Sequence, residues 1–236
     1  MIEVKNLSKR FGKNKVLIDL NLDIRKPGIF AVLGPNGSGK TTLIKSILGM
    51  NIPDKGSISL NGEQIRKKWK YREEIQYLPQ IATFPGNLRL IELIRMIKDM
   101  RSSESQEEEL IELFSLKPFL RKQLSTLSGG TKQKVNVVLA FMIDAPIVIL
   151  DEPTTGLDPQ AMIHLRGLIR KAKEEGKTIL ITSHIMQFVE EVADEIIYLL
   201  EGKIYFKGSL SELREKSGQD DLEHAIASIT SVKSYA

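Results

Sequence analysis

Apolar residues along the chain switch between strand-like and helix-like spacing, and the switches predict its elements. Residues 2–26 have the pattern of antiparallel strands. Leu20, Leu22 and Ile24 alternate with Asn21 and Asp23, the period of a half-buried strand, and Gly12-Lys13-Asn14-Lys15 supplies the turn before it. Ile29-Phe30-Ala31-Val32-Leu33 reads as a buried strand, and the run from Thr42 to Leu48 reads as a helix. A connector with Pro53 and Asp54 follows. Gly56 to Gly62 is a short alternating strand ending in Asn-Gly turn chemistry; Ile75-Gln76-Tyr77-Leu78 is another, closed by Pro79-Gln80.

From residue 87 to 123 the spacing is helical, first through Leu88, Ile91, Leu93, Ile94 and Ile97, then through Leu110, Ile111, Leu113 and Phe114. The acidic run from Glu104 to Glu109 reads as a solvated helix start, with Ser102 and Ser103 as caps. Ile147-Val148-Ile149-Leu150 is apolar at every residue, as a strand covered on both faces should be. Strands at 177–182 and 195–200 alternate with helices near 159–174 and 185–193, and the chain ends in a polar, helical-looking tail. Strands alternating with helices predict the α/β class, with a mostly parallel sheet. The expected organisation is a single domain over 1–236. Residues 1–80 and 136–208 form an α/β core with an N-terminal antiparallel β-subdomain, 81–135 an inserted helical subdomain, and 209–236 a C-terminal helical tail.

Composition narrows the classes. The 236 residues are 42% hydrophobic and 27% charged, ordinary for a globular chain, and no apolar run approaches the ~18 residues of a membrane-spanning helix. The start, Met1-Ile2-Glu3-Val4-Lys5, has no signal-peptide pattern. The expectation is a soluble chain, or one held at a membrane by another molecule. With no cysteine, disulfides and thiolate metal sites are excluded. A net charge of +4 suits nucleic acid, an anionic membrane surface or nucleotide phosphates, and equally a solvated surface with a slight lysine excess.

The strongest local signal is Gly34-Pro35-Asn36-Gly37-Ser38-Gly39-Lys40-Thr41-Thr42, which fits G-x-x-x-x-G-K-[ST] between a strand and a helix. Glycines let the backbone curl so that N–H groups converge on one anion, and the helix N-terminus adds its positive end. Lys40 is expected to reach the β- and γ-phosphates and Thr41 to ligate Mg²⁺. Asp151, at the end of a buried strand, is placed to hold Mg²⁺, and Glu152 to polarise a water in line with the γ-phosphate. Ser128-Gly129-Gly130 stands before a helix expected to start near Lys132, and at that helix opening it offers a second anion site. The economical reading gives it the nucleotide of another copy in a two-fold sandwich, and the bland one makes it a glycine turn. His184 follows a buried strand and suits a γ-phosphate contact. Gln80 suits a metal or water contact, and has a plain reading as a solvated loop residue. Two readings fit Phe11: a buried hairpin aromatic, or an exposed ring stacking on a nucleobase. His164 and His224 read as ordinary surface or core residues.

The phosphate loop, Gln80, Leu127-Ser128-Gly129-Gly130, Leu150-Asp151-Glu152-Pro153, Gly156-Leu157-Asp158 and His184 occur in the order that resembles the ATP-binding subunits of ABC transporters, to about Gly208. The resemblance implies a P-loop NTPase core that binds ATP and Mg²⁺. It implies an aromatic stack at Phe11, with Val16 also at the nucleotide. Nucleotide contacts fall at Asn36, Gly37, Ser38, Gly39, Lys40, Thr41 and Thr42. Metal contacts fall at Thr41, Gln80 and Asp151. Glu152 resembles the catalytic base, with His184, Lys40 and Gln80 beside it in catalysis. Ser128, Gly129 and Gly130 resemble the signature contacts to the opposite ATP, and Asp158 the residue crossing the dimer interface. Phe11 stands where Tyr is commoner, Thr131 where Gln is usual and Lys134 where Arg is frequent. These departures keep the phosphate-contacting groups.

The chain looks most like exporter-class ATPases, including those implicated in metal or copper-site maturation. The implied function is an ATPase powering a separate polytopic permease. Its implied place is the cytoplasmic face of the membrane, held there by the permease and paired with a second ATPase subunit, with no direct nucleic-acid contact. The docking groove is expected near Ile81, Phe84, Pro85 and Leu88. The competing class is a soluble ATPase of the same type on ribosomes or DNA, which usually has two such domains or a long insertion. A third, a regulator without turnover, is disfavoured by the presence of Glu152 and His184.

Overall fold

A computed structural model describes residues 1–101 and 105–231, with side chains to residue 228. Ser102 and Ser103, expected as caps, and Glu104, the first of the acidic run, lie outside the described residues, as does the end of the tail, 232–236. In chain order the elements are β1 (Ile2–Phe11), β2 (Asn14–Ile24), β3 (Gly28–Leu33), α1 (Lys40–Ile47), β4 (Lys55–Leu60), β5 (Glu63–Gln64) and β6 (Ile75–Leu78). Then come α2 (Leu90–Arg101), α3 (Glu107–Leu113), α4 (Gly129–Phe141), β7 (Ile147–Asp151), α5 (Pro159–Glu174) and β8 (Thr178–Thr182). The chain finishes with α6 (Met186–Val192), β9 (Glu195–Leu200), β10 (Lys203–Ser209), α7 (Leu210–Ser217) and α8 (Leu222–Ser231). Two compact units result, one from Met1–Lys68 with Leu180–Ala236, the other from Trp69–Ile179.

In the first unit, β1 pairs antiparallel with both β2 and β4, as the alternation of the N-terminal segment predicts. Its register with β2 shifts between Val4 and Leu7 and again near Lys9. Asn6 and Asp19 adopt left-handed backbones there, and the Asn6 amide donates to the Asp19 carboxylate at 2.9 Å. Such bulges bend and twist a hairpin. The fully buried β3 runs parallel to β9, and β10 closes that edge antiparallel. Ala31, Leu33, Ile196 and Tyr198 form one cluster with Val189 of α6 and with Leu213, Leu222, Ala225 and Ile226 of the last two helices. The tail is therefore part of this unit's core.

In the second unit, β6 runs parallel to β7 with Leu78 opposite Leu150. α4 packs on β6, α3 and α5. β7 is buried at every residue, as its unbroken apolar run requires. The helix expected near Lys132 begins earlier, at Gly129, because the Ser128 side chain caps it by accepting from the Thr131 N–H. The first lobe helix starts at Leu90, later than its apolar spacing suggests. Leu88 precedes it in a turn whose carbonyl accepts from the Leu124 N–H at 2.9 Å.

Candidate functional site: a phosphate loop and a carboxylate strand end

The first unit carries the phosphate loop. β3 delivers Gly34 at φ 146°, and a Cβ there would lie 2.1 Å from the Leu199 carbonyl oxygen and 2.7 Å from Ser38 Oγ. Only glycine fits. The loop then curls on itself, with the Ser38 N–H donating to the Pro35 carbonyl at 3.1 Å. Gly39, at φ 109°, caps α1 with no side chain, so the helix's positive end is left to a ligand. A Cβ on Gly39 would lie 2.7 Å from Leu17 Cδ2 and 3.0 Å from the Val16 carbonyl oxygen, so β2 presses directly on the loop. Lys40 is buried, and its ammonium donates to the Gly34 and Pro35 carbonyls at 2.7 and 3.1 Å. Ser38 Oγ is buried with no hydrogen-bond partner among the described residues. A buried hydroxyl in want of a partner, an ammonium resting on loop carbonyls and an uncapped helix start all fit a triphosphate. Asn36 and Gly37 are exposed, and Thr41 and Thr42 half-buried.

Phe11 is 50% exposed at the hairpin tip, where it pairs with Asn14, so it is not the buried hairpin aromatic of the first reading. Val16 is half-buried beside the loop. His184 is exposed just after β8, beside Ser183, whose hydroxyl accepts from the Ile185 N–H at 3.1 Å.

The second unit carries the carboxylates. Asp151 closes β7 and is 3% exposed. Glu152 follows, 6% exposed, with its backbone in the left-handed region at φ 51°. That conformation costs a non-glycine residue on the order of 1 kcal/mol and persists only where surroundings hold it. The parallel register of Leu78 with Leu150 brings Pro79-Gln80 to the same strand ends as Asp151 and Glu152. Burial, and after it the Asp151 carboxylate, pushes the Tyr77 phenol up to about 12.

α4 ties these loops together, a role the sequence reading missed. Gln133 Nε2 donates to the Pro153 carbonyl at 3.1 Å, Asn136 Nδ2 to the Pro79 carbonyl at 2.9 Å, and Lys134 Nζ lies 2.6 Å from Asp158. The signal was available: Gln133 and Asn136 are polar residues on a helix with an apolar core face, and buried polar groups need partners. Asp158 also caps α5 by accepting from the Ala161 N–H at 2.8 Å. The Lys134 ammonium, and then that N–H, hold its carboxyl below the usual range. Ser128 Oγ lies 2.8 Å from Thr131 Oγ1, so the unusual threonine touches the signature serine directly. A Cβ on Gly130 would lie 2.9 Å from the Gly156 carbonyl oxygen, whereas Gly129 faces open space. Of the remaining histidines, His164 packs edge-on to Phe114, with ring centres 5.8 Å apart, and His224 pairs with Asp221.

Comparison with known proteins agrees with these features. The family model described as ABC transporter matches residues 17–155, and one described as AAA domain, putative AbiEii toxin, Type IV TA system, matches residues 122–190. The chain is 33% identical over 227 residues to the lantibiotic transport ATP-binding protein SrtF of Streptococcus pyogenes, covering 94% of each. It is 32% identical to the ABC-type transporter ATP-binding protein EcsA of Bacillus subtilis, covering 94% of this chain and 92% of that one. A solved ATP-binding subunit of an ABC transporter superposes with TM-score 0.91 at 32% identity, over 98% of this chain and 99% of that one. The dimeric ATP-binding cassette MJ0796 in a post-hydrolysis state with ADP and Pi superposes with TM-score 0.80 at 25% identity, over 89% and 99%. This chain belongs to the ABC transporter family, with the P-loop cassette fold, and is an ATP-binding, ATP-hydrolysing subunit that powers transport through a separate membrane-spanning partner.

Proposed function

We propose that this chain hydrolyses ATP in a sandwich of two copies docked on a polytopic permease of the exporter class, at the inner face of the membrane. The observation that carries the reading is the ready phosphate cradle, with its unpartnered Ser38 hydroxyl and a helix start free of any side-chain cap. Lys40, Ser38 and the N–H groups of residues 36–42 hold the triphosphate, while Phe11 and Val16 hold the base. Thr41, Asp151 and Gln80 would supply hydroxyl, carboxylate and amide oxygens to Mg²⁺, the hard donors that this cation takes in small number beside phosphate oxygens and waters. When bound it neutralises charge on the phosphates. Glu152 takes the proton of the attacking water, and His184 donates to a γ-phosphate oxygen. Ser128, Gly129, Gly130 and Asp158 serve the nucleotide of the second copy.

Relatives support the exporter class. The Nod factor export ATP-binding protein I of Burkholderia lata is 32% identical over 229 residues, covering 94% of this chain and 75% of that one. The test is Glu152→Gln. We expect ATP binding and ATP-dependent dimerisation to persist while hydrolysis falls at least ~100-fold. Turnover at the wild-type rate would remove Glu152 from the base role.

A further inference from the structure

Lys9 is two residues before Phe11 on β1, so both side chains leave the same face of the strand. Its ammonium sits 5.3 Å from the centre of the Phe11 ring. The same ammonium donates to the Ile52 carbonyl at 2.7 Å and lies 3.7 Å from Asp54 Oδ1. Asp54 in turn accepts from the Arg10 N–H at 2.7 Å and donates its own N–H to the Ser8 carbonyl at 2.9 Å. The connector that follows the phosphate-loop helix is thus sewn to residues 8–10 of β1, with the lysine at the seam. Only 16% of the Lys9 side chain is accessible, against 50% of Phe11.

We propose that Lys9 is a positioning residue for the nucleobase, a purine stacked on the open face of Phe11. The inference rests on the base-stacking reading of Phe11. A cation over one face of an aromatic ring is attracted by its electrons, and it fixes the ring's tilt when the cation itself is anchored. Lys9 is anchored twice, by a carbonyl and by a carboxylate. The ring is therefore held by an anchored cation on one face while the residue stays half exposed. A ring drained of electron density on one side is also a better stacking partner for an electron-rich purine on the other. A tyrosine at this position would have a hydroxyl for a further hydrogen bond; phenylalanine has none, and the lysine supplies the orientation instead.

The experiment uses the purified full-length chain and equilibrium binding of two probes, ATP and inorganic tripolyphosphate. Tripolyphosphate occupies the phosphate loop but has no base. Lys9→Met keeps the aliphatic stem and removes the charge. It is expected to weaken ATP binding roughly fivefold while leaving tripolyphosphate binding unchanged. Lys9→Arg, which keeps the cation, is expected to restore most of the ATP affinity. Equal weakening of both probes would mean that Lys9 supports only the loop, and would overturn the proposal. Phe11→Ala separates the two readings. If it weakens ATP selectively and Lys9→Met does not, the lysine has no positioning role. If Phe11→Ala leaves ATP binding intact, the stacking reading itself fails, and the lysine's role with it.

Discussion

At the scale of single residues, the glycines of the phosphate loop do different jobs, and only their surroundings separate them. A Cβ on Gly34 would collide with the Leu199 backbone, while Gly37, at φ 79°, has nothing within 4 Å. Gly37→Ala therefore costs only its left-handed backbone, about 1–2 kcal/mol. Gly34→Ala must also move β9 or the loop, and should cost on the order of 3 kcal/mol or more. Urea unfolding of the nucleotide-free variants measures both. Equal losses would mean that the Leu199 contact is not what selects glycine. In the sequence both are letters of one motif. Ser38 shows the opposite case: its place in the motif was legible, and its burial without a partner makes the motif's purpose visible.

At the scale of elements, helix ends depend on side chains that a few letters can specify. Ser209 and Glu212 form a reciprocal box at the start of α7, the Glu212 N–H donating to Ser209 Oγ at 3.1 Å and the Ser209 N–H to the Glu212 carboxylate at 2.6 Å. The Ser209 N–H, and then its hydroxyl, hold the Glu212 carboxyl below its ordinary value. Because the folded value lies below the unfolded one, the cap's contribution is present above the ordinary glutamate range and is lost as pH falls through the depressed value. The melting temperature of wild type should exceed that of Glu212→Gln at pH 7, and the gap should close as pH falls below the ordinary glutamate range. A gap that does not change with pH would exclude the carboxylate charge. The start of α4 was harder to read, because Ser128-Gly129-Gly130 looks like a loop until the serine is seen capping it.

At the scale of the molecule, no helix among the described residues is long and apolar enough to cross a membrane, yet the family works by driving a membrane-spanning partner. Ile81 is 74% exposed, and Phe84 and Leu88 stay half-buried, in the loop after Gln80. That leaves an apolar surface beside a residue tied to α4 through the Pro79 carbonyl. A tagged chain recovered from detergent-solubilised native membranes should bring down a stoichiometric polytopic protein, and Ile81→Asp should lose it while leaving ATP binding intact. Co-purification with ribosomes or DNA from the soluble fraction would instead favour the soluble class of ATPase.

The sequence by itself determined which segments are strands and singled out the candidate residues for phosphate chemistry. Phosphate binding needs glycines, a lysine and a hydroxyl at fixed spacing, and a strand buried on both faces must be apolar throughout, as β3 and β7 are. Only the tertiary structure decided which side chains hold those residues in place. Gln133, Lys134 and Asn136 reach loops at Pro153, Asp158 and Pro79, and Lys9 reaches Phe11 and the Ile52 carbonyl. The last two helices likewise looked like a polar tail, yet Leu213, Leu222 and Ala225 complete the cluster around β3 and β9. Local spacing records the demands of a residue's own backbone and ligand. The partner of a buried polar or apolar side chain is set by chain segments far away, and no local pattern encodes it.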